Sequence, residues 1–398
     1  MSMFDWWRKK SKLQVAKIVV AALLIVALIF SLYLWHLGTL TKGISPAEAS
    51  AGASSLSMQS ILDNPVYAPH KILQFSVQEI FGHSALALRS VSAILAVLFV
   101  FCFFELVKSW FGKMIGSFAT LLLATTPWFV LLARSGGPEI SLLAPIFVLT
   151  SYYWLVRSKS RSAWLALLIS GGLVVFLPGG LWLILFGLAI ARRNLKQASG
   201  GLGPIQKVLG TFFVLGILII LVHAALKNPS SLKPLLLIPA DWPSVIVSIK
   251  SIAWDFLALF WRTPLHTDFI IGRLPMFSGG QIVLALFGIF AFLKLARSKL
   301  YLLLGIMVFA LLAAGLNRNL ALLTFALPAI ALCVAAGLRY LYMEWRSVFP
   351  KNPLPRYLAL ALIASLVAIH VLYGLRYSLI AWPNSSATRS TYVLKYSQ

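Results

Sequence analysis

Ten Asp and Glu residues are the whole carboxylate supply of this 398-residue chain, so the setting of each one matters. Glu48 closes the run Ser45-Pro46-Ala47-Glu48, which has capping-box spacing with a proline near the helix start. A carboxylate there can cap a helix or, within hydrogen-bond reach of a hydroxyl, take its proton. Glu139 follows Gly136-Gly137-Pro138 and reads as an acid in the first turn of a membrane helix, where the dipole favours it. Arg134, five residues earlier, can pair with Glu139 or hold a phosphate. His70-Lys71, and Arg318 in the turn Asn317-Arg318-Asn319, are further candidates for an anionic substrate, because cations stabilise a departing phosphate. Arg89 opens a predicted span and reads as a snorkelling arginine. None of His36, His70, His83, His223, His266 and His370 has a partner at recognised ligand spacing, so no metal site is predicted. A divalent cation stays compatible with Glu139. Cys102 and Cys333 fall within predicted spans and read as small core residues. Gly200-Gly201-Leu202-Gly203 reads as a connector, since no Walker-type loop is present.

The elements that hold these residues must be membrane helices. Sixty per cent of the residues are hydrophobic and only 11% are charged, against about 25% charged in soluble domains. Such a chain cannot cover its apolar surface in water. Runs long enough to cross the bilayer, about 20 residues each, are expected at Val15–Leu37, Ala87–Val107, Phe111–Pro127, Ile140–Val156, Trp164–Phe176, Leu181–Ala191, Val208–Leu226, Gln281–Leu295, Tyr301–Leu316, Ala321–Leu338 and Tyr357–Leu375. The expected fold is therefore an all-α polytopic membrane protein with about 11 transmembrane helices. Pro178-Gly179-Gly180 turns the fifth and sixth into a hairpin.

The net charge of +24 would suggest nucleic acid in a soluble protein; here it reads as an orientation signal, and no nucleic-acid partner is expected. With a cytoplasmic N-terminus, 21 of the 34 Lys and Arg lie on the cytoplasmic side, as the positive-inside rule requires. Glu48, Asp63, Glu79, Glu139, Asp241, Asp255 and Asp268 then fall outside, with Asp5, Glu105 and Glu344 inside. Acids count little in orientation, so their clustering puts function on the outer face of the plasma membrane, together with the C-terminus.

One transmembrane domain covers 1–398, with a first outer loop at 38–86, a second at 227–280 and an outer C-terminal tail at 376–398. Amphipathic interfacial helices are expected in both loops. Ile72, Phe75, Val77 and Ile80 mark one. The other starts at Asp241-Trp242-Pro243 and sets Val245, Ile249, Ile252 and Phe256 opposite Ser244, Ser248, Ser251 and Asp255.

Four runs, in order, resemble one family. Phe81-Gly82-His83-Ser84-Ala85-Leu86-Ala87-Leu88-Arg89-Ser90 is similar to the membrane glycosyltransferases of the GT-C type, and more narrowly to the protein mannosyltransferase and aminoarabinose transferase superfamily. Trp110-Phe111-Gly112-Lys113, Leu123-Ala124-Thr125-Thr126-Pro127-Trp128 and Leu132-Ala133-Arg134-Ser135-Gly136-Gly137-Pro138-Glu139 resemble its following segments. The likeness covers roughly residues 30–190, with Arg273-Leu274-Pro275 as a further echo. It implies catalytic acids at Glu48 and Glu139 and a substrate-facing segment at His70 and Lys71. Ala47 stands where the family's Asp-Glu pair would place its first acid.

The resemblance implies transfer of a sugar from a polyprenyl-phosphate donor to a glycan, lipid or protein acceptor, with a loop carboxylate as general base. Glu48→Gln is then expected to abolish transfer with little effect on stability, and Glu48 and Glu139 should converge on one outward cavity. A lipid-linked sugar flippase and a catalytically silent relative are the alternatives. Ion-coupled transport usually needs acids near mid-membrane, and Glu105 is the only acid within the expected spans.

Overall fold

The structure, a computed structural model, describes residues 27–199, 203–239, 241–264 and 270–396. After a short π-helical turn at Phe30–Leu34 come α1 (Pro46–Ser54), α2 (Met58–Asp63), α3 (Ala68–Phe81), α4 (Ala85–Phe111), α5 (Lys113–Ala124) and α6 (Pro127–Arg134). A 3-10 segment, Pro138–Leu143, leads into α7 (Pro145–Ser158), α8 (Arg161–Val175), α9 (Gly180–Ser199), α10 (Pro204–Lys227), α11 (Leu232–Leu235) and α12 (Val245–Phe260). The chain continues as α13 (Gly279–Leu295), α14 (Arg297–Asn317), a 3-10 segment at Leu320–Phe325, α15 (Ala326–Val348), α16 (Pro353–Arg376), α17 (Trp382–Asn384) and α18 (Ser386–Thr391). The protein is all-helical, as expected.

The span count differs from expectation. Helices occupy ten of the eleven expected runs; most of the first, Val15–Leu37, lies outside the described residues. Only six described helices are long and apolar enough to cross a bilayer, or seven if α5 and α6 form one bent span. The eleven-span count is therefore not established: α8 and α13 are apolar but only 15 and 17 residues long. The predicted break at Pro178-Gly179-Gly180 is present, with Gly179 at φ +68° between α8 and α9.

Packing follows from small residues. The segment Leu320–Val348 runs through the middle of the bundle and is buried along most of its length. It meets α13 at Gly288 and Gly337, where a Cβ would strike the backbone carbonyls of Cys333 and Leu284 respectively. Membrane helices lack a hydrophobic drive between them and approach closely where side chains are smallest.

A second device aims the chain at the site. Between α5 and α6 the axis bends by 63° at Thr125-Thr126-Pro127. Pro127 opens α6 and holds Thr126 extended, because proline disfavours helical backbone in the residue before it. The tilted α6 is buried throughout and carries Arg134 and Ser135-Gly136-Gly137 to one end of the bundle.

The two loops and the C-terminal segment meet at that end. Ile44 and Leu394 exchange backbone hydrogen bonds of 2.9 and 3.3 Å, and the Tyr396 hydroxyl donates to Gln78. The Tyr377 hydroxyl accepts from Ile271 N at 2.8 Å.

Candidate functional site

Glu48 and Arg89 form the first of two charged centres. Ser45 caps α1 and receives the Glu48 amide at 3.2 Å, while Ser45 N donates to Glu48 Oε2 at 3.3 Å. The predicted capping box is thus present. Arg89 also grips the carboxylate with two nitrogens, Nε to Oε1 at 3.0 Å and Nη2 to Oε2 at 2.7 Å. The Gly136 amide donates to Oε1 at 2.6 Å. Each Glu48 oxygen therefore accepts two hydrogen bonds, and the residue is 1% exposed. In this conformation the carboxylate binds the protein together and offers no open lone pair to an acceptor.

Arg89 does not snorkel. It is buried, and its remaining donors reach Leu37 O (3.1 Å), Thr41 Oγ1 (3.1 Å) and Gly43 O (3.0 Å). The loop between the π-helical turn and α4 folds over the N-terminal end of α4, which turns an expected interface position into an interior one.

Glu139 lies on the other side of the same glycines. It is half-buried, and its Oε2 fills the space a Cβ on Gly137 would need. At Gly136 a Cβ would strike Leu88. Two consecutive glycines therefore let both carboxylates approach one strip of backbone, although the residues are 91 apart in sequence. Tyr67, at φ +59°, is near enough to Glu139 that burial first and the carboxylate second hold its hydroxyl well above its ordinary pKa.

Helix α3 is amphipathic with its polar face inward. His70, Lys71, Gln74 and Gln78 are buried, whereas Ile72, Leu73, Ile80 and Phe81 face outward. Lipid outside and polar partners inside invert the pattern of a soluble helix. Gln74 Nε2 donates to Leu88 O (3.2 Å) and Gly136 O (2.7 Å), and Ser92 joins His70 Nε2 to Gly137 O. Burial and the neighbouring Lys71 charge pull His70 down to about 3, so it is neutral at pH 7. Lys71 Nζ donates to Asn64 O at 2.9 Å, and burial pulls it down to about 8. Arg134 donates to Leu32 O (3.0 Å) and Trp35 O (2.8 Å), tying α6 to the chain before the first loop.

The second centre is a cavity of about 760 Å3 lined, among the described residues, by Lys250, Arg262, Arg273 and Arg318, with Trp254 and one acid, Asp255. Helix α12 brings Ser251 and Asp255 of its expected polar stripe to the cavity, with Lys250 and Trp254 beside them, and it starts at Val245 with Ser244 as N-cap, four residues after Asp241. Its outer face, including Val245, Ile249 and Phe256, is exposed. The loop after it is stapled back: Met276 N donates to Ala258 O (3.0 Å) and Phe277 N to Leu259 O (3.2 Å). Thr263 bonds both Arg273 O and Leu274 O, which sets Arg273 beside Arg262. Arg318 ends α14 in a left-handed conformation, and Gly315 lets α14 press against Ile252 of α12.

Of the sequence candidates, the fold gathers Glu48, Glu139 and, through Ser92, His70 around the Ser135-Gly136-Gly137 strip, turns Lys71 to Asn64 and sends Arg318 to the cavity. Sequence reading picked out Arg318, and Arg273 as part of a motif, but not Lys250, Arg262 or Asp255 as site residues. The centres adjoin, because the 3-10 segment carrying Glu139 packs on Leu320–Phe325, whose first residue lines the cavity. Among the described residues no three His, Cys, Asp or Glu side chains converge as a metal site. Glu105 pairs with Lys108 one turn along α4 at 2.6 Å and is partly exposed.

Residues 69–197, about a third of the chain, match the family model described as dolichyl-phosphate-mannose-protein mannosyltransferase. No curated protein matches the chain by sequence. Among solved structures, ArnT from Cupriavidus metallidurans bound to undecaprenyl phosphate is similar over 94% of this chain and 75% of its own, at 14% identity and a TM-score of 0.56. The Archaeoglobus fulgidus oligosaccharyltransferase in the apo form is similar over 96% of this chain and 57% of its own, at 15% identity and a TM-score of 0.54. At these scores the likeness is one of overall fold, and the chain has the fold of the GT-C-type membrane glycosyltransferases.

Proposed function

We propose that the protein transfers a sugar from a polyprenyl-phosphate donor to an acceptor nucleophile at the outer face of the plasma membrane. The observation that carries this is the cavity in which four cations, from α12, the loop after it and the end of α14, surround one space beside exposed aromatic and aliphatic side chains. A phosphate needs the cations and a polyprenyl tail needs the apolar rim. Arginine suits the role because its planar fork meets phosphate oxygens in pairs. The ArnT structure holding undecaprenyl phosphate supports a lipid phosphate as ligand class.

In the transfer, the acceptor oxygen bonds to the anomeric carbon, the carbon–oxygen bond to the phosphate breaks, and the lipid phosphate leaves into the cationic cavity. We assign removal of the acceptor proton to Glu139, the less buried carboxylate. Glu48 acts through Arg89 and Gly136, holding the strip beside which Glu139 stands. Ala47 is exposed where the Asp-Glu pair would put an acid, which favours a second reading: a relative that binds the lipid-linked sugar without transferring it.

One experiment separates the readings. The full chain in lipid nanodiscs is given polyprenyl phosphomannose, and binding and release of polyprenyl phosphate are followed. Arg318→Ala should weaken binding about 10- to 100-fold, since a hydrogen bond to a charged group contributes about 1.5–3 kcal/mol. Glu139→Gln should leave binding and remove turnover. Binding without turnover in the wild type, across a panel of sugars and acceptors, would support the silent relative; an unchanged affinity in Arg318→Ala would refute the cavity assignment.

A further inference from the structure

Asp255 has no role in the transfer described above. Among the described residues it is the only acid lining the cationic cavity; it is 7% exposed, and its Oδ2 has no hydrogen-bond partner among those residues. Leaving a buried polar atom unpaired costs about 1–3 kcal/mol, and such an atom in a folded protein calls for a reason. Among the described residues, the charged groups that share its cavity are Lys250 on its own helix, Arg262 and Arg273 from the following loop, and Arg318 from the end of α14.

Phosphodiester oxygens only accept hydrogen bonds. An ionised carboxylate only accepts as well, so it repels them; a protonated carboxyl can donate. The deduction rests on the phosphate reading of the cavity: we infer that the Asp255 carboxyl, in its protonated form, donates a hydrogen bond to the phosphate of the lipid-linked substrate, and that its ionisation loosens the bound phosphate. Asp255 is then a gauge of phosphate affinity, adding to the four cations when protonated and cancelling one of them when ionised. Burial favours the protonated form by pushing the carboxyl up to about 7, so the change of state falls in the physiological range.

The test measures binding of polyprenyl phosphomannose to the full chain in nanodiscs from pH 6.0 to 8.5. This diester keeps a single negative charge throughout, so its own titration adds nothing. Wild-type Kd should rise about tenfold across the range, as expected for loss of one hydrogen bond to a charged group. Asp255→Asn carries a carboxamide that donates at every pH; its Kd should stay flat, near the wild-type value at pH 6.0. Calorimetry of the wild type at pH 7.5 in buffers of different ionisation enthalpy should show uptake of a fraction of a proton on binding, a readout that does not depend on the variant folding. A flat wild-type profile, the same slope in Asp255→Asn, or binding without proton uptake would each overturn the role of Asp255. If affinity is flat with pH but still falls in Arg318→Ala, the cavity reading stands and only the Asp255 role is lost. If the diester binds at no pH, both fall together.

Discussion

Glu48→Gln should destabilise the protein severely, in contrast to the mild effect expected of a loop general base. The substitution keeps the shape but replaces one carboxylate oxygen by an amide NH2, which cannot accept from Arg89 Nη2 or from Ser45 N. Losing the capping interaction alone costs about 1 kcal/mol. The larger effect is electrostatic: Arg89 is 3% exposed, and removing one partner of a buried ion pair costs about 3–5 kcal/mol because the other charge stays buried. At about 2 °C per kcal/mol for a large chain, the midpoint of thermal unfolding should fall by about 6–10 °C. Purified wild type, Glu48→Gln, Arg89→Met and the double variant are compared by thermal melting in one detergent. The double variant should be less destabilised than the sum of the singles by more than about 1 kcal/mol, since contacting residues couple by about 0.5–3 kcal/mol. A Glu48→Gln protein melting within about 1 °C of wild type, or additive singles, would refute the view that this pair holds the first loop on α4.

Two further outcomes follow from packing and titration. Gly337→Ala places a methyl against the Leu284 carbonyl at the α13–α15 contact; overpacking of this kind costs about 1–3 kcal/mol, and an unchanged melting point would refute the close approach. Lys71 titrates at about 8 in the fold against an ordinary 10.5, so the native state releases its proton before the unfolded state does. Stability should therefore rise with pH between about 8 and 10.5, and the wild-type minus Lys71→Met difference in melting point should grow in favour of wild type over that window; a constant difference would show that Lys71 carries no burial penalty.

Much of the fold was legible because the bilayer imposes simple rules on sequence. Apolar runs at Ala87–Val107, Val208–Leu226, Tyr301–Leu316 and Tyr357–Leu375 all became helices of spanning length, since a helix satisfies its own backbone in lipid. Pro178-Gly179-Gly180 marked its turn, and Ser45 with Glu48 marked its cap, because these are local hydrogen-bond and φ requirements. Apolar composition could not say how many short helices cross, since α8 and α13 are as hydrophobic as true spans but shorter.

What the sequence by itself determined is the membrane class, the helical runs and the local caps, all of which depend on neighbours within a few residues. Tertiary structure alone decided which charges meet. Glu48 meets Arg89 across 41 positions and Gly136 across 88, and Asp255 and Arg318 line one cavity beside the contact of Gly315 with Ile252. Periodicity gave Asp255 a polar face but no partner, and gave Arg89 an interface position that the first loop then buried. Charge pairing is a matter of distance and dielectric, and both are set only when distant segments close over one another.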